Sequence, residues 1–244
     1  MPIVALVALA AAVPAIELLV FRRWGWSPAP GPYELNGTVG DGAGPARWVW
    51  LGDSLSAGVG AERADEALPR LTAARVAADA GCSVDLRCVA VPGAACADVL
   101  EGQVPLAVGL LGEGTVAIVA VGCNDVLQLV RPTVFRARYA AVIEALAATG
   151  ATVFAVGIPD LGSMIAVMHQ PLRSMVGASA RYLDRIVREV ARDAGAEYVA
   201  VAAPMPPAML SADRLHPNGR GYRAWASLVA ARINEDPERR AAPG

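Results

Sequence analysis

Ser54 closes the stretch Trp48-Val49-Trp50-Leu51-Gly52-Asp53-Ser54, an apolar run that breaks into a small polar turn. A serine hydroxyl is a weak nucleophile at neutral pH and reacts when a base takes its proton. Histidine suits that task, because its ordinary pKa of about 6.5 lies close to neutrality. The chain offers two imidazoles, His169 and His216. His216 precedes Pro217, which drives the residue before it into an extended backbone. Asp213, on the same stretch, can reach back to the ring, fix its tautomer and stabilise the imidazolium. Attack on a carbonyl creates an oxyanion that needs donors. The Ser54 N–H is one. Gly93 can bring its N–H close because no Cβ intervenes, and Asn124 carries a neutral amide donor. A hydroxyl, a base, an acid and neutral donors are the parts of an acyl-transfer site.

These side chains need a scaffold that brings distant loops together. Apolar runs at Arg47–Leu51, Val84–Val91, Thr115–Val121, Thr152–Ile158 and Glu197–Val201 read as strands. Between them, Asp65–Ala80, Thr133–Thr149 and Ser174–Ala194 have helical period and end at Gly81, Gly150 and Gly195. In the first, Leu68, Leu71, Ala74, Arg75 and Ala78 form the expected stripe. A last helix spans Asn218–Asn234, with Asn218 as its cap. Such alternation predicts an α/β fold. The expected form is a three-layer α/β/α sandwich around a flavodoxin-like parallel sheet of about five strands. Function in these sheets collects beyond the carboxyl ends of the strands, which is where Ser54, Gly93, Asn124 and the Asp213–His216 pair fall.

Other residues compete for the same roles. Ser54 could merely cap a following helix. Asp53 is read as shaping the turn and Asp125 as a cap or turn residue for the segment beyond it. Asp160 also follows a strand and is the rival acid to Asp213, but no imidazole lies near it in sequence. His169 sits in an irregular, Met-rich segment from Met164 to Met175. Cys123 reads as a small packing residue. Gly58-Val59-Gly60 starts like a dinucleotide fingerprint, but Arg63 occupies the place of the third glycine.

Gly52-Asp53-Ser54-Leu55, Gly93, Gly122-Cys123-Asn124-Asp125 and Asp213-Arg214-Leu215-His216 resemble the four blocks of the GDSL, or SGNH, hydrolases. The resemblance runs from about Ala46 to Ala231. It implies the three-layer fold and cleavage of a carboxylic ester or thioester with no cofactor and no metal. It also implies Ser54 as nucleophile, Asp213 and His216 completing a triad, and Ser54, Gly93 and Asn124 as an oxyanion hole. Two other outcomes suit the same residues: transfer of the acyl group to a sugar hydroxyl, or a silent module that binds an ester or glycan.

Composition narrows the partners. The net charge of −2 gives no basic footprint for nucleic acid. All 21 basic residues are arginine, which removes the lysine of a phosphate-binding loop. The four cysteines match no metal or redox spacing, and in a chain of this size they read as free thiols. Ile3 to Phe21 is almost wholly apolar and as a helix would span about 28 Å, near the thickness of a bilayer core. Arg22, Arg23, Trp24 and Trp26 follow as interface anchors. Residues 1–23 are therefore expected to be a single-pass membrane anchor, with a lean toward the cytoplasmic face, over a buried N-terminal helix. Residues 24–45, rich in proline and glycine, read as a linker, 46–234 as the catalytic domain and 235–244 as a loose tail. Oligomeric state is left open by the sequence.

Overall fold

A computed structural model describes residues 29–165, 168–201 and 205–235. In chain order its strands and main helices are β1 (Gly37–Val39), β2 (Ala43–Gly52), α1 (Leu68–Ala80), β3 (Cys82–Cys88), α2 (Cys96–Asp98) and α3 (Val104–Val108). They continue with β4 (Thr115–Ala120), α4 (Cys123–Leu127), α5 (Pro132–Ala147), β5 (Thr152–Val156) and α6 (Leu161–Met164). α7 (Leu172–Asp193), β6 (Glu197–Val199) and α8 (Gly219–Asn234) complete the set. A π-helical turn, Val99–Gln103, joins α2 to α3.

The sheet has the order β1-β3-β2-β4-β5-β6. Strands β2 to β6 pair in parallel, and β1 adds an antiparallel edge on β3. Without β1 the order is the flavodoxin-like one, and the reversal of chain direction across the sheet falls between β2 and β4. Those two strands are the driest. Trp48, Val49, Trp50 and Leu51 are buried, as is every residue of β4. Burial on both faces is what continuous apolar strands in a parallel sheet require. α1 packs with α8 and α5 with α7, forming the helical layers.

Three expectations need correction. The sheet is mixed and six-stranded, because residues 24–45 are not all linker. Leu35 and Val39 are buried, Tyr33 packs on the core, and Gly37–Val39 hydrogen-bonds along β3. A few anchoring side chains suffice to draw a proline-rich segment into the sheet edge. The buried face of α1 is Leu68, Thr72, Ala73, Val76 and Ala77, not the stripe through Ala74, Arg75 and Ala78. With alanines on every side, Val76 and Thr72 decide which face turns inward. Finally, the membrane localisation is withdrawn. No helix among the described residues is long and apolar enough to cross a membrane, and the expected anchor at residues 1–23 lies outside them. Nearly all of the expected tail lies outside them too.

Candidate active site

The turn after β2 begins at Gly52, whose φ of 152° is paired with a close approach to β4. A Cβ there would stand 2.2 Å from the Ala120 carbonyl oxygen and 2.3 Å from Ser56 Oγ. Only glycine fits such a position. Gln103, buried at the end of the π turn, grips the same residue twice. Its Nε2 donates to the Gly52 carbonyl at 2.8 Å, and its Oε1 accepts from the Gly52 N–H at 2.8 Å. The Gly52 carbonyl also accepts from the Val91 N–H at 3.1 Å, so the side-chain amide and the chain just past β3 together close the end of β2. Asp53 then turns the chain: its Oδ1 accepts from the Leu55 N–H at 3.0 Å. Ser54 is thereby presented at the mouth of the sheet.

His216 arrives from the loop before α8. Its Nε2 lies 2.8 Å from Ser54 Oγ, and its Nδ1 lies 2.5 Å from Asp213 Oδ2. The other oxygen of Asp213 accepts from Ser211 Oγ at 2.6 Å and from the N–H groups of Leu215 and His216 at 3.0 Å. Burial works against this carboxylate, but the bonds from His216, Ser211 and Leu215 win and hold its pKa down at about 2. It stays charged at any working pH. The loop is fixed by Asn218, which accepts from the N–H groups of Arg220 and Gly221 as the α8 cap. Its amide donates to the carbonyls of Ala208 and Leu210.

Gly93 and Asn124 reach the same place from β3 and β4. With Ser54 and His216 they line a cavity of about 340 Å³ whose remaining walls are largely apolar, among them Leu55, Leu127, Leu161, Met164 and Leu215. Asn124 Nδ2 donates to the Ala94 carbonyl at 3.0 Å, which orients the amide beside Gly93. Gly93 also has a conformational reason to be glycine. A Cβ would meet nothing within 4 Å, but the φ of 83° is one that residues with a side chain rarely adopt.

The structure leaves the competing acids elsewhere. Asp160 caps α6 by accepting from the Gly162 N–H at 3.1 Å and lies 3.7 Å from Arg181, on a separate polar cavity. The carbonyl of His169 accepts from the Arg173 N–H at 2.8 Å, and the residue is not part of the apolar cavity's wall. Asp125 is not a local cap: its Oδ2 reaches back to accept from the Cys96 N–H at 2.9 Å, tying α2 to α4. Burial raises Asp53 to about 7 and Asp125 to about 6, and each has one oxygen with no partner. Burial also pushes the Cys123 thiol up, so it is protonated and unreactive at neutral pH. All four cysteines are free. Gln103, Ser211 and Tyr222, whose hydroxyl donates to the Val59 carbonyl at 2.6 Å, support the site without any signal in the sequence. Their partners are set by tertiary contact alone.

A doubly wound sheet that gathers a serine, an imidazole and a carboxylate at its switch point is compatible with an ester hydrolase. Comparison with known proteins agrees. Residues 50–224 match the GDSL-like Lipase/Acylhydrolase family. The GDSL-like esterase Rv1075c of Mycobacterium tuberculosis (strain ATCC 25618 / H37Rv) is 30% identical over 216 residues, covering 81% of this chain and 68% of that protein. Among solved structures, TesA superposes with a TM-score of 0.62 at 20% identity, covering 78% of this chain and 98% of its own. LAE5, an alpha/beta hydrolase from the metagenome of Lake Arreo, Spain, does so with 0.62 at 19% identity, covering 84% and 98%. At such identities the two structures speak for the fold. The chain belongs to the GDSL-like lipase/acylhydrolase family and is a hydrolase of the esterase/lipase type.

Proposed function

We propose that the protein cleaves a carboxylic ester or thioester through an acyl-enzyme on Ser54. The carrying observation is the line Ser54 Oγ–His216 Nε2–His216 Nδ1–Asp213 Oδ2, with separations of 2.8 and 2.5 Å, opening on an apolar cavity. Ser54 Oγ attacks the carbonyl carbon while His216 Nε2 takes its proton. Asp213 holds the proton-bearing Nδ1 and stabilises the imidazolium. The Ser54 and Gly93 N–H groups and the Asn124 amide receive the oxyanion. As the tetrahedral intermediate collapses, the bond to the leaving oxygen or sulfur breaks and His216 returns the proton to it. Water then repeats the sequence at the acyl-enzyme and releases the acid.

The acyl portion is apolar and modest in length. The cavity wall carries no aspartate, glutamate or arginine side chain, and its volume lies at the lower end of the range for small-molecule sites, which starts at roughly 300 Å³. The catalytic unit comprises residues 46–234, with residues 29–45 joined to it through β1 and Tyr33. A fluorophosphonate probe should label the protein, and Ser54→Ala should remove the labelling. Hydrolysis of a graded series of p-nitrophenyl esters should favour short and medium chains. Labelling of Ser54→Ala at the parent's rate would overturn the mechanism.

A further inference from the structure

Residues Pro30 to Tyr33 fall before the span matched to the family, yet they lie along the turn that carries the nucleophile. The Gly60 N–H donates to the Pro30 carbonyl at 2.9 Å, and the Tyr33 N–H donates to the Ala57 carbonyl at 3.3 Å. The Tyr33 hydroxyl donates to the Ala61 carbonyl at 2.9 Å. Gly31 packs so closely that a Cβ on it would stand 3.1 Å from the Gly58 oxygen and 3.2 Å from Val59 Cα. From α8, Tyr222 holds the Val59 carbonyl.

The segment held in this way is Ala57-Gly58-Val59-Gly60-Ala61, in which only Val59 has a side chain larger than a methyl group. Ala57 and Ala61 are buried, but so few side-chain atoms leave the fine placement of the turn to its backbone. Its position depends on backbone hydrogen bonds, and most of their partners belong to the 30–33 segment and Tyr222. The turn touches both halves of the reacting pair. Toward the nucleophile, the Val59 N–H donates to the Ser54 carbonyl and the Ala57 N–H to the Asp53 carbonyl, each at 3.0 Å. Toward the base, Gly60, with φ of 95°, lies directly beneath the His216 backbone. A Cβ on it would stand 2.7 Å from His216 Cβ and 2.4 Å from the Pro217 oxygen.

We propose that Pro30–Tyr33 is a positioning strap that presses the 57–61 turn between Ser54 and His216 and so sets their separation, with Tyr33 as its anchor. The proposal rests on the reading of Ser54 and His216 as the reacting pair. Tyr33 touches no reacting atom. It acts through alignment, and alignment is where small displacements weigh heavily, since about 1 Å can cost about 100-fold in rate.

The test uses the full chain with Tyr33→Phe, Tyr33→Ala and Ser54→Ala. The readouts are kcat and KM on a short-chain p-nitrophenyl ester, the rate of fluorophosphonate labelling, and the urea midpoint. Tyr33→Phe keeps the ring and loses the bond to Ala61. It should lower kcat about 10-fold with KM within about twofold, and slow labelling in step. Tyr33→Ala should lower kcat further, and if it fails to fold, Tyr33→Phe decides alone. A fall in urea midpoint with kcat and labelling unchanged would make the strap merely structural and overturn the proposal. Turnover by Ser54→Ala would instead overturn the reading beneath it. An inactive Ser54→Ala beside a fully active Tyr33→Phe would sink the strap alone.

Discussion

Replacing Asp213 with asparagine removes one charge and keeps the side chain's shape, so its effect can be worked out bond by bond. Asp213 Oδ1 accepts three hydrogen bonds, from Ser211 and from the N–H groups of Leu215 and His216. An asparagine oxygen would keep those three, which turns its NH₂ toward His216 Nδ1. Two donors cannot face each other at 2.5 Å, so the imidazole must give up its Nδ1 proton and carry it on Nε2 instead. Nε2 then faces Ser54 Oγ with a proton and cannot accept another. The expected loss is about 10⁴ in kcat, or about 5.5 kcal/mol of transition-state stabilisation. A linked effect follows in stability. Asp213 is held at about 2 in the fold against an ordinary 3.8. Its carboxylate thus contributes about 2 kcal/mol that is present above pH 3.8 and lost as pH falls through 2, and the variant lacks that term. The assay is steady-state hydrolysis with fluorophosphonate labelling, and urea unfolding checks the fold. Asp160→Asn is the control: asparagine caps a helix as well as aspartate, so its kcat should stay within about twofold of the parent. Asp213→Asn within tenfold of the parent, or a larger loss in Asp160→Asn, would refute the assignment of the acid.

Two further outcomes follow from the same geometry. Asn124→Ala removes one proposed oxyanion donor and should lower kcat by about 10²–10³ with KM little changed, measured on the best ester of the graded series. Asp53 is raised to about 7, so the folded state keeps a proton that the unfolded chain loses above 3.8. Stability from this group is full below pH 3.8 and declines as pH rises through 7. Asp53→Asn should therefore gain on the parent by up to about 3 kcal/mol as pH rises from 5 to 7 and keep that lead to about pH 9, read from urea midpoints.

The candidate site was more legible in the sequence than its supports. Ser54, Asn124 and the Asp213–His216 pair each follow a strand, and their chemistry names them wherever the loops meet. The parallel core was legible for a similar reason, since runs such as Thr115–Val121 are apolar without alternation. Gln103 was not. A buried glutamine that completes the end of β2 looks, in sequence, like any polar residue in a helix. β1 escaped because glycine and proline surround it and its pairing is with a strand far along the chain. Asp125 was misplaced because a carboxylate can satisfy a distant N–H as readily as a local one. The periodicity of α1 failed where alanine fills every face and gives hydrophobicity no contrast.

The turn Gly112–Gly114 enters β4 at its amino end, whereas the cavity lies beyond the carboxyl ends of the strands. A Cβ at Gly112 would meet nothing within 4 Å, and its backbone is not in the left-handed region. Because the chain contains no lysine, Gly112→Lys would install the sole side-chain amine of the molecule, on the rim away from the mouth. Coupling through that amine would orient the enzyme on a solid support with its entrance facing the solution.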